Sequence, residues 1–437
     1  MTAEIVIMNR EAIALASDSA VTMTSISGEK IFTSANKLFT LSKYHPVGIM
    51  IYGSAVFMDI PWETIIKIYR NKLGRNHRDT LKDYANDFIN FLDNGNTLFP
   101  DSIQEEYVIN CIYSYFGFVK ARIKDEVRLI ISEKGEVSDQ EIEQIVSTII
   151  ENDYKKWEES ENIPSISKSF NKQILTKYRN IINNAINDSF EKTPLSTACL
   201  NQLKKIIGWL FSRFPEGIEK RDMSGIVIAG FGENDTFPAL VSFHIEGIVN
   251  NKLKYKEYIS DKVGFEQTAS IIPFAQREMV DVFIGGMDPF YIDLVDSYLA
   301  RLLDGYAVKI IESLKGYNDN EKEELENGIK TDGQKILEDI RKILEDEKRK
   351  RYVNPVISVV SMLPKDELAL MAESLVNLTC LRRKFTTDRE TVGGPIDVAV
   401  ISKGDGFVWI KRKHYFKQEL NPQFFANYYK ETSDEQS

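Results

Sequence analysis

Short apolar runs separated by polar breaks dominate the first fifty residues. Ala3 to Met8 and Ala12 to Ala16 are small-apolar and β-branched runs around Asn9-Arg10-Glu11, a pattern that predicts a β-hairpin. Lys37 to Leu41 and Val47 to Tyr52 predict a second pair around Ser42 to Pro46. The spacing then becomes helical: Trp62 to Leu73 is one stretch, and Leu81, Tyr84, Phe88 and Phe91 share one face of another. From about Asp101 to Phe214 the pattern stays helical and charge-rich, which predicts an inserted helical layer. Strand character returns at "SGIVIAGFGENDTFPALVSFHIEG", where Ile226 to Ala229 and Leu240 to His244 flank a turn rich in Gly, Asn and Asp. A long helical block is predicted from Phe274 to about Tyr352. Its later part, "NEKEELENGIKTDGQKILEDIRKILEDEKRKR", reads as a charged amphipathic helix or helical pair with a solvated face. A last helix from Lys365 to about Leu381 leads to "TTDRETVGGPIDVAVISKGDGFVWI", which reads as loop, strand, turn, strand. Strands before and after the helices predict an α+β layered fold.

Composition narrows the classes. Apolar residues make up 43% of the 437, charged residues 27% and aromatic residues 11%, the figures of a folded globular chain. A formal net charge of -10 argues against general nucleic-acid or anionic-membrane binding, which call for a basic face. No apolar stretch reaches the roughly 18 residues of a membrane span, and the amino end lacks the basic-then-apolar order of a signal peptide. Cys111, Cys199 and Cys380 are far apart and outside any C-x-x-C pair, which indicates neither a disulfide framework nor a zinc site. A cytoplasmic protein is the expectation. The four histidines, His45, His77, His244 and His414, form no H-E-x-x-H, so a metal hydrolase lacks its ligands. "GGPID" and "GFGEND" lack Walker spacing, and the four tryptophans are scattered as packing anchors. No cofactor is implied.

Candidate chemistry starts at Thr2. A threonine hydroxyl needs a base to become a nucleophile, and a first residue always has its own α-amine beside it. That amine has an unperturbed pKa of about 7.7–8.0, close to working pH. Initiator methionine is trimmed before small residues such as threonine, which would make Thr2 the amino terminus.

"TAEIVIMNREAIALASDSAVT" resembles the first hairpin of proteasome β-type subunits and related bacterial proteins of the N-terminal nucleophile hydrolase superfamily. Members start with a catalytic threonine and carry an A-x-D-S element at the end of the second strand, matched here by Thr2 and by "ASDS" at Ala16 to Ser19. "NKLFTL" is similar to the family's lysine opening the third strand, and "GIMIYGSA" to its glycine-bearing turn before the first helix. "SGIVIAGFGENDTFPAL" resembles the central hairpin, and "TTDRETVGGPIDVAVI" the family's Asp-x-x-Ser followed by paired glycines and a strand. These pieces occur in the family's order.

The resemblance implies a four-layer αββα sandwich. Residues 1–74, 221–290 and 353–437 would supply its core, with helical insertions at 75–220 and 291–352. It implies that Thr2 attacks a carbonyl carbon, that Lys37 favours the anionic form of the hydroxyl, and that Asp18 fixes and charge-balances Lys37. A backbone N–H around Gly53, or that of Tyr52, would hold the oxyanion, and Asp388 and Thr391 would hydrogen-bond near the α-amine. The interval between Asp18 and Lys37 is longer than usual, so "TSISGEKIFTSAN" must bulge and Lys30 remains a rival lysine. Another register at the glycines would put Val392 in place of Thr391. The family's Gly-Ser-Gly before its third helix has no clean match in "TASIIPFAQREMV", leaving Ser270 and Gln276 open. The implied activity is hydrolysis of a peptide or amide bond in a peptide or protein substrate, by a homo-oligomer with no cofactor. The alternative is a catalytically silent scaffold that binds a protein partner through its helical insertions.

Overall fold

The apolar runs at the start of the chain form the hairpin they predict, strands Ala3–Asn9 and Ala12–Ser17. The turn between them is held by Asn9, whose side-chain oxygen accepts from the backbone N–H groups of Glu11 and Ala12. A computed structural model describes residues 2–25, 28–93, 97–191, 193–217, 223–386 and 392–426. The chain divides into two compact units, one of residues 1–52, 229–239 and 261–437, the other of residues 53–228 and 240–260.

In the first unit the hairpin is the centre of a five-stranded antiparallel sheet. The strand order is Ala269–Ala275, Ala3–Asn9, Ala12–Ser17, Asp397–Ser402, Gly406–Lys411. Period-two alternation separates its faces by size. Ala12, Ala14 and Ala16 turn to the helix layer, where the short side chains let Lys365–Lys384 approach and bury Leu368, Ala369, Ala372 and Leu375. Val280 of Glu278–Gly285 and Val360 of Asn354–Val360 complete that cluster. The opposite face meets the hairpin of Leu38–Thr40 and Val47–Gly53. Gly48 is required there: a Cβ on it would lie 2.9 Å from Ile401 Cδ1 and 2.9 Å from Phe407 Cε2.

The "TSISGEKIFTSAN" interval forms an extra hairpin, Val21–Ser25 paired with Gly28–Phe32. The helical block expected from Phe274 begins later, because Ala269–Ala275 is a strand. Pro273 disguised it, yet this strand lies at the sheet edge, where a missing N–H is tolerated. Beyond it run Pro289–Ser313 and Asp319–Lys348, two helices packed side by side.

The second unit is mostly helical. Asp101–Lys134, Asp139–Glu159, Phe170–Lys177, Arg179–Phe190 and Thr197–Trp209 share one apolar cluster around Phe116, Ile150, Ile186 and Ile206. Buried Asp153 is satisfied within it by Arg122 at 2.7 Å and Tyr115 Oη at 3.1 Å. Three strands lie side by side in the order Lys252–Lys262, Ala239–Val249, Ser224–Gly230. The first of these has no apolar run to reveal it, since polar residues fill most of its length and one of the two residues it buries, Lys254 beside Leu253, is itself a lysine.

Gly48→Val is expected to cost about 1–3 kcal/mol by overpacking the contact with Ile401 and Phe407. Urea denaturation measures it, and an unchanged midpoint would show that the layers do not meet this closely.

Candidate functional site

Thr2 immediately precedes the strand Ala3–Asn9 and is 3% exposed. The two peptide groups that follow it are clamped from opposite sides. Its carbonyl accepts from the Gln276 backbone N–H at 3.2 Å, and the Ala3 N–H donates to Asp18 Oδ1 at 3.0 Å. The Asp18 N–H returns a bond to the Ala3 carbonyl at 3.0 Å. The clamp on the Gln276 side directly follows a strained residue. Ala275, the cross-strand partner of Ala3, has φ 62°, a left-handed conformation costing an L-residue roughly 1–2 kcal/mol.

Asp18 lies where the second strand ends, fully buried. Oδ1 accepts from Lys37 Nζ at 2.6 Å as well as from Ala3, and Oδ2 accepts from the N–H groups of Ala20 at 3.1 Å and Gly393 at 3.0 Å. Four donors on two oxygens satisfy the hydrogen-bonding capacity of this buried side chain. Lys37 is also buried, and its own carbonyl accepts from Ile51 N–H at 2.9 Å, which ties the lysine backbone to the neighbouring strand. One carboxylate oxygen therefore joins the peptide after Thr2 to the Lys37 ammonium.

Of the residues the sequence singles out, Thr2, Asp18 and Lys37 are brought together here. Lys30 is exposed on the extra hairpin. Gly53 belongs to the second unit, with φ 81°, and a Cβ on it would lie 2.2 Å from the Met223 carbonyl oxygen. Asp388 and Thr391 lie outside the described residues. Val392 is buried in the cluster facing the helices. Ser270 sits opposite Met8, well along the strand from Thr2, whereas Gln276 adjoins Thr2, and its Oε1 accepts from Arg383 Nε at 2.8 Å.

Sequence reasoning passed over Glu4. It is the one charged residue in the run Ala3 to Met8, which was the available signal. Its carboxyl is buried with no hydrogen-bond partner among the described residues, directly opposite Ser17, whose hydroxyl is likewise unpaired there. Burial pushes the Glu4 carboxyl well above the usual carboxylate range; Lys37 opposes the shift and Asp18 adds to it. Cys380, one of the three isolated cysteines, feels the same surroundings. Burial, reinforced by the charge of Asp18, raises its thiol to about 12, which leaves it mostly protonated and a poor nucleophile.

Other sites are weaker. Among the described residues no three His, Cys, Asp or Glu side chains gather to hold a metal ion, and no helix is long and apolar enough to cross a membrane. A cavity of about 720 Å³ opens in the second unit beside Tyr107, Trp157, Phe214, His244 and Lys254. The Lys254 ammonium is already taken by Glu246 at 2.5 Å and the Leu210 carbonyl at 2.8 Å, over the face of Phe214.

No family model matches the chain, and no curated protein does. Among solved structures, Anbu (ancestral beta-subunit) from Yersinia bercovieri is similar at 9% identity and a TM-score of 0.24, over 99% of this chain and 96% of that one. Backbones that far apart transfer no residue roles.

Two outcomes follow from this geometry. Lys37→Met leaves a buried carboxylate without its counter-ion and is expected to cost about 3–5 kcal/mol. The Asp18→Asn, Lys37→Met double variant should lose less than the sum of the singles by denaturant unfolding, while additivity would mean the pair is uncoupled. Glu4 titrates the other way. A carboxyl with a raised folded pKa binds more protons folded than unfolded, so its contribution is full below the ordinary range and is lost as pH rises through the raised value. Glu4→Gln should therefore gain in melting temperature over the parent as pH rises from 5 to 8, and a pH-independent difference would refute the assignment.

Proposed function

We propose that the chain is an N-terminal threonine hydrolase of the proteasome-like class, cleaving a peptide or amide bond once Met1 has been removed. The observation that carries this reading is the buried Lys37–Asp18 pair, whose carboxylate also holds the peptide directly after Thr2. With Met1 gone, the α-amine of Thr2 takes the proton from Oγ as Oγ attacks the substrate carbonyl. The Lys37 ammonium lowers the cost of negative charge at Oγ, and the Tyr52 backbone N–H is the candidate oxyanion donor, a role worth about 3–4 kcal/mol. Collapse of the tetrahedral intermediate breaks the C–N bond, the amine leaves with the proton, and an ester remains on Thr2. Water then attacks the ester, giving its proton to the α-amine, and the acid is released as Oγ regains a hydrogen. The reaction is redox-neutral and uses only groups of the chain. The fold we assign is the four-layer αββα sandwich, with the helices of 75–220 and 291–352 as insertions, and the compartment is the cytoplasm.

A catalytically silent scaffold of the same class is the second reading, favoured by the burial of Thr2. Intact mass separates the two. Natively expressed protein should lack one methionine and gain a single adduct from a peptide epoxyketone, mapped to Thr2 and absent in Thr2→Ala. Retention of Met1 would remove the base and leave the scaffold.

A further inference from the structure

We propose that Arg383 is a positioning residue for Thr2 and acts through Gln276, an inference that rests on the reading of Thr2 as the nucleophile. Once Met1 is gone, Thr2 joins the rest of the chain only through the peptide plane it shares with Ala3. Rotation about one bond, from the Thr2 Cα to that plane, then decides where both Oγ and the α-amine lie. The plane is held at its two ends. The Thr2 carbonyl accepts from the Gln276 N–H at 3.2 Å, and the Ala3 N–H donates to Asp18 Oδ1 at 3.0 Å.

The two ends are not equally secure. Asp18 is fixed by the donors that surround it, whereas Gln276 stands just past the end of an edge strand, directly after Ala275 at φ 62°. A left-handed alanine persists only where its surroundings over-determine it. Relaxation of Ala275 to an extended conformation would carry the Gln276 N–H away from the Thr2 carbonyl.

Arg383 opposes that relaxation from the helix layer. Its Nε donates to Gln276 Oε1 at 2.8 Å, and its Nη2 lies 3.7 Å from Glu278 Oε2. Gln276 is 4% exposed and the Arg383 side chain 16%, so the bond is largely shielded from water. A guanidinium only donates, so the amide must turn its oxygen to it, which fixes the side chain and anchors the backbone that bears it. Arg383 lies in the last turn of Lys365–Lys384, the helix seated on the sheet through Leu368, Ala372 and Leu375. The chain leaving that helix brings the Gly393 N–H to Asp18 Oδ2, so both ends of the Thr2 plane are referred to one helix. The helix Glu278–Gly285 keeps anchors of its own without Arg383: Val280 is buried in the same cluster, and Arg382 reaches Met279 Sδ at 3.1 Å.

A misaimed nucleophile still meets a bound electrophile but reacts with it slowly, so the loss belongs to the chemical step. Inactivation of the full chain by a peptide epoxyketone reads this, with intact mass confirming that each variant has lost Met1. Arg383→Met should lower the maximal rate of adduct formation on Thr2 by about 10–100-fold, while the half-saturating epoxyketone concentration stays near that of the parent. Gln276→Leu should behave alike, and the double variant should be no slower than the slower single, since one residue acts through the other. Arg383→Lys, which keeps a cationic donor, should recover most of the rate. Arg383→Met or Gln276→Leu reacting at the parental rate, a loss confined to the half-saturating concentration, or additive losses in the double variant would each overturn the positioning role and leave Thr2 as the nucleophile. If Arg383→Met does not fold, Gln276→Leu and Arg383→Lys decide on the same criteria. A parent that forms no adduct at Thr2 would overturn the hydrolase reading itself, and this inference with it.

Discussion

A single carboxylate organises the first unit. Asp18 gathers the backbone N–H groups of Ala3, Ala20 and Gly393 together with the Lys37 ammonium, and so ties three stretches of chain that are distant in sequence, along with its own turn at Ala20, to one buried point. Stripped of any one donor, its oxygens would be left short in a site that water does not reach. The head of Ala3–Asn9, the end of its neighbour, the approach to the next hairpin and the glycine turn before Asp397–Ser402 are therefore positioned by the same electrostatic demand.

The sheet around that point is legible in the chain because its residues are chosen twice over. Ala12, Ala14 and Ala16 are small where a helix must come close, and Leu15 is large where Gly48 leaves room. That alternation of size is visible as a run of apolar letters and predicts strands without ambiguity. The edges are less legible. Ala269–Ala275 carries a proline because it lies at its sheet's edge, and Lys252–Lys262 exposes Lys252, Lys256 and Lys262 because it too is an outer strand, so both lose the apolar signature that identifies interior strands.

The candidate site was legible in part for a different reason. Thr2, Asp18 and Lys37 stand out through resemblance to a family motif, since nothing in composition or periodicity separates a strand-end aspartate from any other turn residue. Glu4 escapes that route, being unusual only once its surroundings are known to be apolar, whereas Gln276 stood open there beside Ser270 for its side chain and meets Thr2 through its backbone N–H, which carries no side-chain identity to read. Residues that matter by position are recovered from coordinates, whereas those that matter by chemistry announce themselves in letters.

Cys380 carries the electrostatics of this corner onto the helix layer. Only partly buried, its thiol is nonetheless raised to about 12, so the thiolate is on the order of a thousandfold scarcer at neutral pH than at an ordinary cysteine. Slow alkylation of one native sulfur is thus the mark that desolvation and the negative charge of Asp18 leave on a neighbouring element.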